Sequence, residues 1–251
     1  MSNEPINAPI NAPINASINA SINAPIIECN NLCYAYDNYI ALRQVTFTVS
    51  AGETVVLQGP NGCGKSTLLK LLNGLLFPAE GTFRFQGKDI TEKTLKDKRF
   101  AKEFHQKVGF IFQDSSLQLF TGSVEEEIAF GPRQMGLSEE AVTQRVNDVL
   151  QLTGLTALRD RAPYHLSGGE KKKTAIACIL SMNPEVLVLD EPLAGLDTKT
   201  QQWLVSFLKE LQSAGKTLII STHNNALAEE LGHRFIRMND NHTIEAIVEN
   251  N

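Results

Sequence analysis

Residues 59–67 read GPNGCGKST, set between the apolar run ETVVLQ at 53–58 and the leucine-rich STLLKLLNGLL at 66–76. Strand, glycine loop and helix in that order give the pattern G-x-x-x-x-G-K-[ST] its chemistry. Gly62 and Gly64 let successive backbone N–H groups turn toward one anion at a helix start. Lys65 then reaches the β and γ phosphates of a nucleotide, and the Ser66 hydroxyl meets Mg²⁺. Gly59, Asn61, Cys63 and Thr67 complete the loop. The expectation is an α/β core built around a phosphate cradle.

The pattern on either side agrees. ECNNLCYAY and ALRQVTFTVS, at 28–36 and 41–50, read as an antiparallel pair, and RQVTFTV alternates with period two. GTFRFQG, KVGFIFQD, EVLVLD and KTLIIST are further strands, and TKTQQWLVSFLKELQSAG is a helix. SVEEEIAFGPRQMG, SEEAVTQRVNDVLQLTG and LTALRDR carry helical spacing with no good strand, so a helical insert is placed at about 115–164.

Two further stretches carry chemistry. The strand VLVLDE ends in Asp190 and Glu191, and adjacent carboxylates at the end of a buried strand are costly unless a cation or a reacting water uses them. Asp190 suits support of Mg²⁺ and Glu191 suits polarisation of an attacking water. The second stretch, HLSGGEKKKTAIA at 165–177, puts Ser167, Gly168 and Gly169 at the head of a helix whose free N–H groups and positive dipole end suit another anion. Lys171 and Lys172 are read as a solvated basic face.

Composition sets bounds. The chain has 251 residues, 42% of them hydrophobic, enough for one large α/β core with a small extra subdomain. Its apolar runs are strand-sized, against the roughly 20 residues of a membrane span. A net charge of -5 offers no basic field for nucleic acid. The four cysteines have no paired metal-ligand spacing, and no signal peptide is read, so a reducing, cytoplasmic address is expected. Residues 6–25 are five copies of one tetrapeptide, INAP or INAS. The entropy of ordering that repeat exceeds what its isoleucines return on burial, and prolines interrupt its period, so a disordered, dispensable tail is expected.

With these residues on view, the chain resembles the ATP-binding subunits of ABC transporters. The glycine loop, Gln113, LSGGE at 166–170, Asp190 and Glu191, AGLD at 194–197 and STH at 221–223 stand in that family's order, over residues 26–238. The resemblance implies a P-loop NTPase (RecA-like) core, an N-terminal antiparallel β subdomain and an α-helical insert carrying the signature motif. It implies an ATP hydrolase using ATP and Mg²⁺, in which two nucleotide-binding domains pair head to tail and Ser-Gly-Gly of one meets the γ-phosphate held by the other. Tyr36 resembles the aromatic that stacks on adenine, with Tyr34 as competitor. Gln113 matches the glutamine that meets Mg²⁺ and relays the transmembrane partner's movement. Asp197 matches the dimer-contact aspartate, and His223 the histidine that senses the γ-phosphate and holds Glu191 and water. The other four histidines are given no role. Lys173 stands where the family usually has arginine, Leu193 where it often has threonine, Glu170 where glutamine is common, and Asn224 where aspartate often follows the histidine.

Within the family, VGFIFQDSSLQLFTGSVEEEIAFGPRQMGL at 108–137 is similar to the cobalt and nickel branch of energy-coupling-factor importers, as is the short stretch after the last strand. That implies transmembrane importer subunits and a second ATPase domain, identical or paralogous, as partners at the cytoplasmic face of the inner membrane. Vitamin importers of the same architecture, other ABC transporters and soluble ABC ATPases acting on DNA or ribosomes are the alternatives; a P-loop kinase leaves Ser167 to Gly169 unexplained. Cys63, beside Lys65 and at a helix start, is expected to be an accessible, reactive thiol whose alkylation blocks nucleotide binding.

Overall fold

A computed structural model describes residues 25–250; the tetrapeptide repeat, apart from Pro25, lies outside the described residues. These fall into two compact units, residues 25–113 with 185–250, and Asp114–Pro184.

The first unit holds both sheets. β1 (Ile27–Tyr36) and β2 (Tyr39–Val49) form the antiparallel pair, with Ile27 opposite Val49 and Tyr36 opposite Tyr39. β4 (Glu80–Phe85) and β5 (Lys88–Asp89) extend it in the order β2-β1-β4-β5. The second sheet is built on β3 (Thr54–Gln58), β6 (Val108–Ile111), β7 (Val186–Asp190) and β8 (Thr217–Ser221). β9 (Arg234–Met238) and β10 (Ile244–Glu249) complete the order β10-β9-β3-β8-β7-β6. All neighbours in it are parallel except β9 and β10. Every residue of β6, β7 and β8 is buried, as a parallel strand covered on both faces requires, which is why those segments read as unbroken apolar runs.

Helix α1 (Lys65–Leu72) follows β3, and its buried Leu68, Leu69, Leu71 and Leu72 join a core with Val55, Leu57, Phe83, Phe104 and Val188. α2 (Glu92–Leu95), α3 (Lys98–Lys107), α7 (Thr198–Ser213) and α8 (Asn225–Leu231) are the unit's other helices. The reading from sequence did not place α3, α8, β9 or β10. α3 buries only Phe104 of its ten residues, and β9 keeps Arg234 and Arg237 in its run, so neither shows a clean apolar period.

The second unit is helical: α4 (Val124–Met135), α5 (Glu139–Thr153) and α6 (Gly168–Leu180). Val124, Ile128, Val146, Val149, Leu150, Leu166 and Ala177 make its core. Ser123 and Ser138 cap the first two helices at their N-termini, and Gly136 and Gly154, both left-handed, close them. A Cβ on Gly131 would stand 2.8 Å from Met182 Cγ, so glycine there admits the close approach of the α6 C-terminus. The unit runs to Pro184 and takes in α6, beyond the boundary near residue 164 expected from sequence. LTALRDR forms only a single turn of 3₁₀ helix at Thr156–Leu158. Lys172 is buried, 2% exposed, against the solvated face expected of it, because it lies on the inward side of α6 with Ala175 and Ile176.

Candidate functional site

β3 delivers the chain into the glycine loop, and the loop's shape follows from what surrounds it. Gly59 (φ 146°) abuts the carbonyl of Met238, the last residue of β9; a Cβ there would overlap that oxygen and touch Cys63 Sγ at 3.0 Å. Gly64 (φ 109°) abuts Ala41 O of β2 in the same way. Gly62 (φ 84°) faces open space. The first two glycines therefore let the backbone pass between neighbouring strands, while Gly62 leaves room on the cleft side.

α1 begins at this loop with Gly64 as N-cap and no side chain capping it, so its first N–H groups carry no side-chain acceptor. Lys65, 7% exposed, donates from Nζ to Gly59 O at 2.7 Å and Pro60 O at 2.9 Å. Uncapped N–H groups, a helix N-terminus and a held ammonium fit the phosphates of a nucleotide, and the glycines leave the space one needs.

The acidic pair stands at the end of β7. Asp190, 8% exposed, accepts a short hydrogen bond from Ser221 Oγ, the last residue of β8. Glu191 takes φ 43°, a left-handed conformation costly for a residue with a Cβ, and its N–H donates to Ser221 O at 3.0 Å. That bend turns its carboxylate toward His223. His223 N donates to Glu191 Oε2 at 3.3 Å, and His223 Nε2 lies 3.4 Å from Oε1. Oε1 is buried against His223 and accepts no hydrogen bond, while the side chain as a whole keeps 20% of its surface exposed.

These side chains share one cavity of about 660 Å³, lined by Tyr36, Asn61, Gly62, Gly64, Lys65, Ser66, Thr67, Gln113, Asp190, Glu191 and His223 among the residues singled out from sequence. Tyr34 does not line it; it packs on the core and meets Tyr36 edge-on, the centroids 4.9 Å apart. Tyr39, Ile40, Ala41, Ala194 and His242 line it as well and were not singled out. Tyr39 and Ile40 follow the β1–β2 turn and are exposed, so no periodicity marks them. His242 comes from the β9–β10 turn, which sheet order, not sequence, brings beside β3.

Cys63 corrects an expectation. Its side chain is 1% exposed and packs in the apolar core, so it offers the cleft its backbone and not an accessible thiol.

Asp197 is the N-cap of α7, accepting Thr200 N at 3.0 Å and Thr200 Oγ1 at 2.8 Å, and these bonds hold its carboxyl below the usual carboxylate range. In the helical unit, Ser167 and Glu170 form a capping box on α6: Ser167 N donates to Glu170 Oε2 at 2.7 Å and Glu170 N to Ser167 Oγ at 3.3 Å. Glu170 is held low by those bonds from Ser167. Gly168 has open space around it, so the start of α6 is unobstructed within that unit.

The parallel sheet, the glycine loop at its switch from strand to helix and the acidic pair on the next strand but one define a P-loop NTPase. The ABC transporter family model matches residues 42–194, and the chain belongs to that family. It is 48% identical to the nickel import ATP-binding protein LarO of Lactiplantibacillus plantarum over 88% of this chain and 92% of that protein. Among solved structures, cbiO1 from Clostridium perfringens, part of the ABC transporter complex cbiONQ, superposes with a TM-score of 0.78 at 34% identity, over 90% of this chain and 88% of that one. A dimeric post-hydrolysis state of the ATP-binding cassette MJ0796, bound to ADP and Pi, does so with 0.79 at 28%, over 90% and 99%. The chain is an ATP-binding, ATP-hydrolysing cassette of ABC type.

Proposed function

We propose that this cassette energises a nickel or cobalt importer of the energy-coupling-factor type, working as one half of a head-to-tail pair of nucleotide-binding domains. The observation that carries the reading is the convergence of the acidic pair, His223 and the glycine loop on one cleft, in a chain whose near relative LarO is a nickel import protein. Tyr36 stacks on adenine. The residues from Gly59 to Thr67 hold the phosphates, the loop's N–H groups and Lys65 doing most of that work. Ser66, Gln113 and Asp190 hold Mg²⁺, which when bound draws charge from the phosphate oxygens.

Glu191 accepts the proton of the attacking water on its carboxylate, and His223 orients that carboxylate. Ser167, Gly168 and Gly169 of a second domain, with the α6 dipole behind them, meet the phosphate from the other side, and Asp197 lies at the pairing surface. The chain works at the cytoplasmic face of the membrane, bound to transmembrane subunits. Among the described residues no helix is long and apolar enough to cross a membrane itself.

Uptake of radioactive nickel and cobalt by cells carrying the wild-type gene, its deletion or Glu191→Gln tests this. Loss of uptake in both mutant strains supports it. Unchanged metal uptake with impaired biotin uptake would reassign the substrate to a vitamin.

A further inference from the structure

Of the cleft-wall side chains left unused by these roles, one is a histidine. His242 occupies the turn between β9 and β10 and takes φ 63°, a left-handed backbone that histidine visits far less readily than glycine. The turn is tightly closed. His242 N donates to Asn239 O at 3.0 Å, and Asn239 Oδ1 accepts from Asn241 N and from Thr243 Oγ1, each at 3.0 Å. Arg43 N donates to His242 O at 2.9 Å, which ties the turn to β2, the strand that begins with Tyr39 and Ile40. Backbone bonds therefore hold the imidazole in the wall of the cavity that Tyr36, Tyr39 and Ile40 also line.

The ring's two nitrogens differ. Nδ1 is buried and makes no hydrogen bond. Whether it carries a hydrogen or a lone pair, Nδ1 meets no partner there, so Nε2 is the ring atom left to meet a ligand. His242 lines the cavity, where an Nε2–H can serve a ligand as donor.

We infer that His242 is a nucleoside-recognition residue, its Nε2–H donating to an acceptor on the purine or ribose of bound ATP. The inference rests on this cleft being the ATP site. It makes the β9–β10 turn a reader of the nucleoside, separate from the glycine loop that reads the phosphates.

Titration calorimetry on the full chain with Mg²⁺ tests it, using ATP, 2′-deoxy-ATP and inorganic tripolyphosphate as probes. His242→Gly relieves the backbone and removes the donor; His242→Asn tolerates the same backbone and keeps one. The glycine variant is expected to bind ATP about 3- to 10-fold more weakly, the scale of one net hydrogen bond, and tripolyphosphate as wild type does. The asparagine variant should recover part of the loss. A wild-type deficit with 2′-deoxy-ATP that disappears in the glycine variant assigns the contact to the ribose, and a deficit equal in both assigns it to the base. Unchanged ATP affinity in His242→Gly, or equal weakening of ATP and tripolyphosphate, overturns the inference. Failure of the cleft itself as the ATP site has its own signature, unchanged ATP affinity in Lys65→Ala.

Discussion

Glu191 shows how much chemistry one backbone angle can carry. A left-handed φ at a glutamate costs about 1–2 kcal/mol, and the bonds from Glu191 N to Ser221 hold it there so that the carboxylate faces His223. Glu191→Gln keeps the shape and one oxygen but cannot take a proton. ATP binding should persist while turnover falls about 10²- to 10⁴-fold, as steady-state hydrolysis and nucleotide titration will show. Undiminished turnover would move the general base elsewhere. The pairing of Glu191 with His223 was expected from the family resemblance, which sets that histidine beside the carboxylate. The orientation of Cys63 was not, since a residue between two glycines gives no sign of which way its side chain points. Enclosed in the core, Cys63 should escape maleimide in the native protein with ATP binding intact; peptide mapping that finds it modified would place it in the cleft after all.

At the scale of elements, helix starts do most of the work. α1 has no side-chain cap, whereas α6 is closed by Ser167 with Glu170 and α7 by Asp197 with Thr200. Ser167→Ala should cost about 1 kcal/mol of stability through the lost cap, seen in chemical denaturation. Any loss of ATPase activity far beyond the unfolded fraction would belong to a second role at the phosphate. Gly64→Ala drives a Cβ into Ala41 O of β2 and should abolish nucleotide binding by distorting the loop.

Asp197 and Glu170 both have carboxyls held low in the folded protein. Their stabilising contribution is present above the unfolded carboxylate range, about pH 4, and is lost as pH falls through the lower folded values. Acid titration of Asp197→Asn should therefore show a shallower loss of stability than wild type. The helices and central strands were readable because their apolar periods are clean. α3 and β9 were not, because charged residues interrupt theirs and sheet pairing, rather than local pattern, holds β9 in place.

For the whole molecule, pairing is the consequence that matters. In the proposed head-to-tail pair, each cassette would bring its own phosphate loop at α1 and the Ser167-capped start of α6, and so half of each of two sites. With Mg²⁺ and ATP, Glu191→Gln should run as a dimer on size exclusion, because slow hydrolysis traps the closed pair. A monomer under those conditions, in mutant and wild type alike, would remove the shared site. Deletion of residues 1–24 should leave the melting temperature and ATPase rate unchanged, since by the sequence estimate ordering the repeat costs more than burying its isoleucines returns. A fall of several degrees would show that the repeat docks.

The seam between Gly59 and Met238 also sets when the protein becomes competent. β3 is locked to β9 by Thr54 and His233, with Thr54 N donating to His233 Nδ1 at 3.2 Å and the two residues separated by 179 positions in the chain. A ribosome making this polypeptide releases the glycine loop well before the wall against which that loop is shaped, since Gly59 waits for Met238. Contacts of such long sequence separation form slowly and late. A nascent chain arrested before β9 would thus carry the whole phosphate motif without the support that sets its curvature, and ATP capture would wait for β9 to emerge.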